Sequence, residues 1–111
     1  MYKTNEEQLG ISIDEFANEW YNKEEYMLVD IREDDEKSND GYLKGAFTIS
    51  MYDIPDKIDM VPTYLSLIVC CTGGVRAEQV ARYVQNNDYN NVFYLEGGTS
   101  KLFDVLPELK G

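Results

Sequence analysis

The stretch S-L-I-V-C-C-T-G-G-V-R, from Ser66 to Arg76, decides the fold. Its first part, 66–70, is an apolar run with β-branched residues, which is typical of a central strand in a parallel sheet. Gly73 and Gly74 lie in the short loop that follows. Apolar residues then recur at helical spacing, at Ala77, Val80, Ala81 and Val84. The order strand, glycine-containing loop, helix predicts an α/β architecture.

The flanking sequence alternates between strand-like and helix-like segments, which indicates a mostly parallel sheet with helices packed on it. Further strands are predicted at 27–31, 46–49 and 91–95. Ser12 and Glu15 form a capping-box pattern, and the apolar spacing after Ser12 predicts a helix through Trp20. A last helix is predicted at 100–105. Residues 55–60 are expected to form one or two helical turns, and 32–40 a short helix or a loop.

Composition limits the kinds of partner. The chain has 111 residues and a hydrophobic share of 43%, which suits one compact domain over residues 1–111. Its net charge is −11, which argues against binding to nucleic acid or to an anionic membrane. Small anionic substrates would also be repelled at long range. Any anion site must therefore be built from local donors.

The residue inventory excludes several kinds of site. The two cysteines, Cys70 and Cys71, are adjacent, unlike the spaced pairs of a secreted disulfide framework. There is no histidine, so Ser-His and Cys-His catalysis and imidazole-based zinc sites are excluded. The N-terminal residues have no apolar signal-like segment, and no run approaches the length of a transmembrane helix. We therefore expect a cytoplasmic protein.

Cys71 is the candidate nucleophile. It follows the predicted central strand, at the edge where open α/β sheets usually bind ligands. The glycines allow the loop to turn its amides inward, and the helix that follows adds the positive end of its dipole. Such a cradle favours a reactive thiolate without a histidine. Arg76 closes the loop and can offer planar, bidentate donors to an oxyanion.

Four motifs in order make the chain resemble the rhodanese family. C-T-G-G-V-R (71–76) is similar to that family's active-site loop C-R-x-G-x-R. D-I-R-E (30–33) and G-Y-L-K-G-A (41–46) lie where the family tends to have D-V-R-E and G-H-I-x-G-A. L-E-G-G (95–98) matches L-x-G-G. The resemblance extends from about residue 11 to residue 103.

The resemblance implies a rhodanese-like fold with about five strands in a mostly parallel sheet and helices on both faces. It implies a sulfurtransferase in which Cys71 takes sulfane sulfur from thiosulfate or a persulfide donor, becomes a persulfide, and passes the sulfur to a thiophilic acceptor. The substrate-binding cradle would be Thr72, Gly73, Gly74, Val75 and Arg76. No metal or organic cofactor is implied. The expected partners are a small sulfur-containing anion or a protein persulfide or thiol, with no nucleic acid and no membrane; a monomer is favoured.

Two other functions stay open. Rhodanese-like domains also serve as non-catalytic binding modules or as persulfide relays for partner proteins. Phosphatases of the Cdc25 type share the fold but have five residues between Cys and Arg, whereas four separate Cys71 from Arg76. The shorter loop makes a smaller cradle, which suits a sulfur atom better than a phosphate.

Some residues have a simpler structural interpretation. Cys70 points away from Cys71 in a strand, so it is expected in the core. Asp30 and Arg32 are expected to support the site as an ion pair under the loop. The charged residues 33–36 are expected to form a solvated face. Thr72 stands where the family often has Arg, which leaves the physiological sulfur donor open.

Overall fold

The computed structural model describes residues 9–23, 25–61 and 63–111, and these form a five-stranded parallel sheet. The strand order is β1-β5-β4-β2-β3, so β4 lies at the centre between β5 and β2. The strands are β1 (Gly10–Ile11), β2 (Tyr26–Asp30), β3 (Phe47–Thr48), β4 (Ser66–Cys70) and β5 (Val92–Leu95).

Helices cover both faces of the sheet, which confirms the predicted fold class. They are α1 (Ile13–Glu15), which continues as a π-helical turn (Phe16–Trp20), α2 (Asp34–Asp40), α3 (Ile54–Lys57), α4 (Val75–Gln85) and α5 (Gly98–Val105). Short 3-10 turns lie at Met51–Asp53, Ile58–Met60 and Pro107–Leu109. On one face α4 packs with the segment around α3, and on the other α1 packs with α5.

The central strand β4 contributes side chains to both hydrophobic cores, because successive side chains point to opposite faces of the sheet. Leu67, Val69 and Cys71 lie in the core beneath α4. Ile68 and Cys70 lie in the opposite core, against α1 and α5. The expectation that the two cysteines point to opposite faces is therefore confirmed.

The element boundaries differ from the predictions in ways that have local causes. β1 was not predicted, because a two-residue strand is too short to show periodicity; it pairs Gly10 with Tyr94 of β5. Ser12 caps α1 as predicted, and its Oγ accepts a hydrogen bond of 3.0 Å from the Glu15 amide. The last helix begins at Gly98 rather than at residue 100. Within residues 9–23, 25–61 and 63–111, none of the helices has the length and apolar character that crossing a bilayer requires.

Candidate active site at the carboxyl end of the central strand

Cys71 lies directly after β4, with the ends of β2 and β5 on either side. The carbonyl of Cys70 still accepts a hydrogen bond of 3.0 Å from the Ile31 amide, so the backbone is fixed up to the residue before Cys71. The Cys71 side chain is buried, with 1% of the residue exposed. Its sulfur therefore lies at the bottom of the loop that follows.

The Cys71 sulfur accepts two backbone hydrogen bonds. The Gly74 amide donates at 3.1 Å and the Ala77 amide at 3.3 Å. Both donors belong to the loop and first turn that begin α4, where amides have no partner inside the helix. These N–H groups and the N-terminal end of the helix dipole are therefore placed to stabilise negative charge that develops on the sulfur during a reaction.

Gly74 has the backbone conformation that this turn requires. Its φ is +106°, in the region that L side chains rarely adopt. A Cβ at this position would also lie 3.2 Å from the Gly97 amide nitrogen. Glycine at position 74 thus allows both the turn and the close approach of the neighbouring loop.

The first residues of α5 hold the backbone of the Cys71 loop through two hydrogen bonds. The Thr99 amide donates to the Cys71 carbonyl at 2.9 Å, and the Ser100 amide donates to the Thr72 carbonyl at 3.2 Å. A Cβ on Gly98 would collide with the Thr72 carbonyl oxygen, and the φ of Gly98 is +66°. The L-E-G-G motif therefore lets α5 begin directly against the backbone of the site.

Glu36 joins the two polar side chains of the loop, which corrects the expectation that 33–36 is simply a solvated face. Arg76 donates to it through both terminal nitrogens, Nη1 to Oε1 at 2.9 Å and Nη2 to Oε2 at 2.6 Å. The Thr72 hydroxyl donates to Oε2 at 3.2 Å. The Glu33 amide donates to Oε1 at 2.9 Å, which places Glu36 in the first turn of α2.

This ion pair shifts the pKa values of both partners, and both shifts favour the charged forms. The hydrogen bond from Arg76, with smaller contributions from the Glu33 amide and Thr72, lowers the pKa of Glu36 to about 2. The pKa of Arg76 is raised, first by Glu36 and to a smaller extent by the Cys71 sulfur. Arg76 therefore stays charged between a carboxylate and the candidate nucleophile.

Asp30 and Arg32 form a buried ion pair, as the sequence led us to expect. Arg32 donates Nε to Asp30 Oδ1 at 3.0 Å and Nη2 to Oδ2 at 2.9 Å, and its amide also donates to Oδ1. Nη2 further donates to the Gly41 carbonyl at 2.9 Å. Both side chains are almost fully excluded from solvent. The pair ties the end of β2 to the segment after α2, beside the site.

The structure places the sequence-predicted residues Cys71 to Arg76 in the loop after β4 and the first turn of α4, with Asp30 and Arg32 at the adjacent strand end. In the described part of the chain, Gly74 is the loop residue whose amide contacts the Cys71 sulfur, while Val75 is exposed and Thr72 and Arg76 face Glu36. Sequence reasoning missed Ala77 and Glu36. Because β2 and β4 are parallel neighbours, the segment after β2 must lie at the same edge as the Cys71 loop, and that signal could have pointed to Glu36.

Comparisons with known proteins identify the family of the chain. The model of the "Rhodanese-like domain" family matches residues 12–104. A Bacillus subtilis protein named "Putative sulfurtransferase YtwF" is 33% identical over 75 residues, which cover 68% of this chain and 71% of that protein.

Solved structures share the fold. The reduced CoADR-RHD protein of Bacillus anthracis has a TM-score of 0.76 and 27% identity over 91% of this chain, which spans only 17% of that protein. A rhodanese-related protein of Thermoplasma volcanium has a TM-score of 0.74 at 18% identity, covering 87% of this chain and 92% of that one. The second likeness, at its low identity, supports the fold alone.

Proposed function

Because the chain belongs to the rhodanese-like domain family, we propose that it is a sulfurtransferase that carries sulfane sulfur as a persulfide on Cys71. The observation that carries the proposal is the pair of backbone hydrogen bonds, from Gly74 and Ala77, to the Cys71 sulfur. A buried thiol with an inert role needs no such donors, whereas a sulfur that becomes charged during a reaction does.

The reaction has two steps. The Cys71 thiolate attacks the sulfane sulfur of a donor, a new S–S bond forms, and the old bond to that sulfur breaks with its electron pair leaving on the donor. Sulfite leaves from thiosulfate, and a thiolate leaves from a thiol persulfide. An acceptor thiolate or cyanide then attacks the outer sulfur, and Cys71 leaves as a thiolate. No net electron transfer occurs.

The residues around Cys71 have distinct roles in this proposal. The amides of Gly74 and Ala77 stabilise the negative charge on the sulfur. The remaining loop amides, at residues 72, 73, 75 and 76, extend the cradle toward the outer sulfur of the persulfide. Arg76 and Thr72 form its rim, and Asp30 and Arg32 support the strand end beside it. Because a persulfide must be protected from oxidation, we propose the reducing cytoplasm as its location.

Intact mass tests this function. The protein is incubated without reductant, first with thiosulfate and then with a thiol persulfide, and a gain of one sulfur atom is expected from at least one donor. The gain must be absent in Cys71→Ser. Cys70→Ala is the matched control, because it removes the adjacent buried cysteine, and it should still gain sulfur. No gain from either donor would reject sulfur carriage and favour a binding module.

A further inference from the structure

The rim of the Cys71 loop carries an internal carboxylate where an anionic substrate would bind. The two side chains of the loop that could hold an oxyanion, Thr72 and Arg76, both donate to Glu36. Arg76 is engaged through both terminal nitrogens in the bidentate geometry that guanidinium groups use for carboxylates and sulfonates alike. Glu36 therefore takes the Thr72 hydroxyl and two of the five N–H donors of Arg76, and it places a negative charge where an external oxyanion would approach them.

This engagement affects sulfur donors unequally. Thiosulfate carries two negative charges and a sulfonate group, so it must displace Glu36 from Arg76 or bind close to its carboxylate. A thiol persulfide carries at most one charge on its sulfurs and has no sulfonate. Its sulfane sulfur needs only the backbone amides, which Glu36 leaves available. The net charge of −11 adds long-range repulsion that is stronger for the dianion.

We propose that Glu36 is a specificity-determining residue, which disfavours sulfonate-bearing dianions at Cys71 and selects thiol persulfides as the sulfur donor. The proposal rests on sulfur carriage by Cys71. Both donors react by the same balanced step: the Cys71 sulfur bonds to the sulfane sulfur while the bond to sulfite or to the thiolate breaks. The difference between them is confined to binding at the rim.

An opposite role for Glu36 makes the opposite prediction. If the carboxylate served to orient Arg76 for an oxyanion, then removing its charge would weaken thiosulfate binding. If it competes with the oxyanion, then removing its charge releases Arg76 and strengthens thiosulfate binding. The sign of the change in thiosulfate affinity therefore separates the two roles.

The experiment follows the rate of sulfur gain by intact mass under single-turnover conditions. Thiosulfate and 2-mercaptoethanol persulfide are each varied in concentration, which gives a maximal rate and a half-saturating concentration for each donor. The variants are Glu36→Gln, which keeps the side-chain shape, and Glu36→Ala, which removes the hydrogen-bond acceptor as well. Asp40→Asn is the charge-matched control, because Asp40 is an exposed residue at the end of the same helix.

In the wild-type protein we expect more efficient loading from the persulfide than from thiosulfate. Glu36→Gln should lower the half-saturating thiosulfate concentration about tenfold, since one repulsive charge is removed and Arg76 is released. Loading from the persulfide should change by less than about twofold, and Asp40→Asn should change neither donor by more than about twofold, because an exposed distant charge is screened.

The failures of the two proposals differ. If thiosulfate binding is weakened or unchanged in both Glu36 variants while the persulfide still loads Cys71, the specificity role is wrong and sulfur carriage stands. Equal efficiency of the two donors in the wild-type protein would also overturn the specificity role. If neither donor loads any variant, sulfur carriage fails and the role of Glu36 falls with it.

Discussion

Arg76 and Glu36 are 40 residues apart in the chain and form a two-point ion pair with contacts of 2.9 and 2.6 Å. The pair connects the first turn of α4 to the first turn of α2, so it links the loop after β4 to the segment after β2. About a third of each side chain remains exposed, 32% for Arg76 and 27% for Glu36. The contact is therefore both a structural link and part of the accessible rim of the site.

This ion pair should make stability depend on pH in the acid range. The pKa of Glu36 is lowered to about 2 by Arg76, below its ordinary value of 4.5. A lowered pKa stabilises the folded state above the ordinary value, and this stability is lost as the pH falls from about 4.5 toward 2. With solvent screening counted, the contribution at neutral pH should be about 1–2 kcal/mol. Urea unfolding at several pH values measures it.

Glu36→Gln is the variant for that test. It should reduce the free energy of unfolding at pH 7 and flatten the decline between pH 4.5 and pH 2. Asp40→Asn serves again as the exposed control and should keep the steeper decline. Parallel curves for the wild-type protein and Glu36→Gln would show that the ion pair does not contribute to folding.

Cys70 should be chemically inert in the folded protein. It is fully buried, its thiol donates to the Ile68 carbonyl, and burial raises its pKa well above the ordinary value, so the reactive thiolate is scarce near neutral pH. In Cys71→Ser the remaining thiol is Cys70. Iodoacetamide at pH 8 should give no adduct with this variant while it is folded, and one adduct in denaturant.

The matched arm of this test is Cys70→Ala, which keeps Cys71. We expect it to be alkylated in the folded state, because Cys71 lies in the donor-lined loop at the edge of the sheet. Alkylation of folded Cys71→Ser at a rate similar to that of Cys70→Ala would contradict the assignment of Cys70 to the core.

The sequence predicted the parts of this molecule that depend on local pattern. The bounds of β4, Ser66–Cys70, agree with the apolar run, because a central parallel strand is buried on both faces and leaves a continuous signal. The capping residue Ser12 was also predicted from local pattern, because its partner Glu15 is only three residues away. Glycine pairs marked the two turns beside the site.

The contacts that the sequence did not reveal link distant segments. Glu36 lies in a charged stretch that has the pattern of a solvated face, and its partner Arg76 is identified only when β2 and β4 are placed side by side. Strand β1 consists of two residues and gains its stability from pairing with β5 rather than from its own pattern. Such features depend on topology, which periodicity alone does not provide.

The buried ion pair between Asp30 and Arg32 should contribute strongly to the stability of the fold. Asp30→Ala leaves a buried guanidinium without its carboxylate, and removing one partner of a buried pair typically costs about 3–5 kcal/mol. The partly exposed pair of Arg82 and Glu78 is the comparison, since Glu78→Ala should cost less than about 1 kcal/mol. Thermal and urea unfolding measure both. Similar losses for the two variants would mean that Arg32 finds another partner or becomes hydrated.

Gly98→Ala should disrupt the support beneath Cys71. The position has a φ of +66°, and an added Cβ would meet the carbonyl oxygens of Thr72 and Cys71, which are backbone atoms that cannot move aside independently. Gly45 is the matched control, because its φ is +76° and nothing lies within 4 Å of an added Cβ.

Gly45→Ala should therefore cost only the conformational strain, about 1 kcal/mol, whereas Gly98→Ala should cost at least about 2 kcal/mol more. The difference in free energy of unfolding between the two variants isolates the close approach of α5 to the Cys71 loop. If the two variants are equally stable, α5 can withdraw from the loop without cost, and the hydrogen bonds from Thr99 and Ser100 do not hold the site in place.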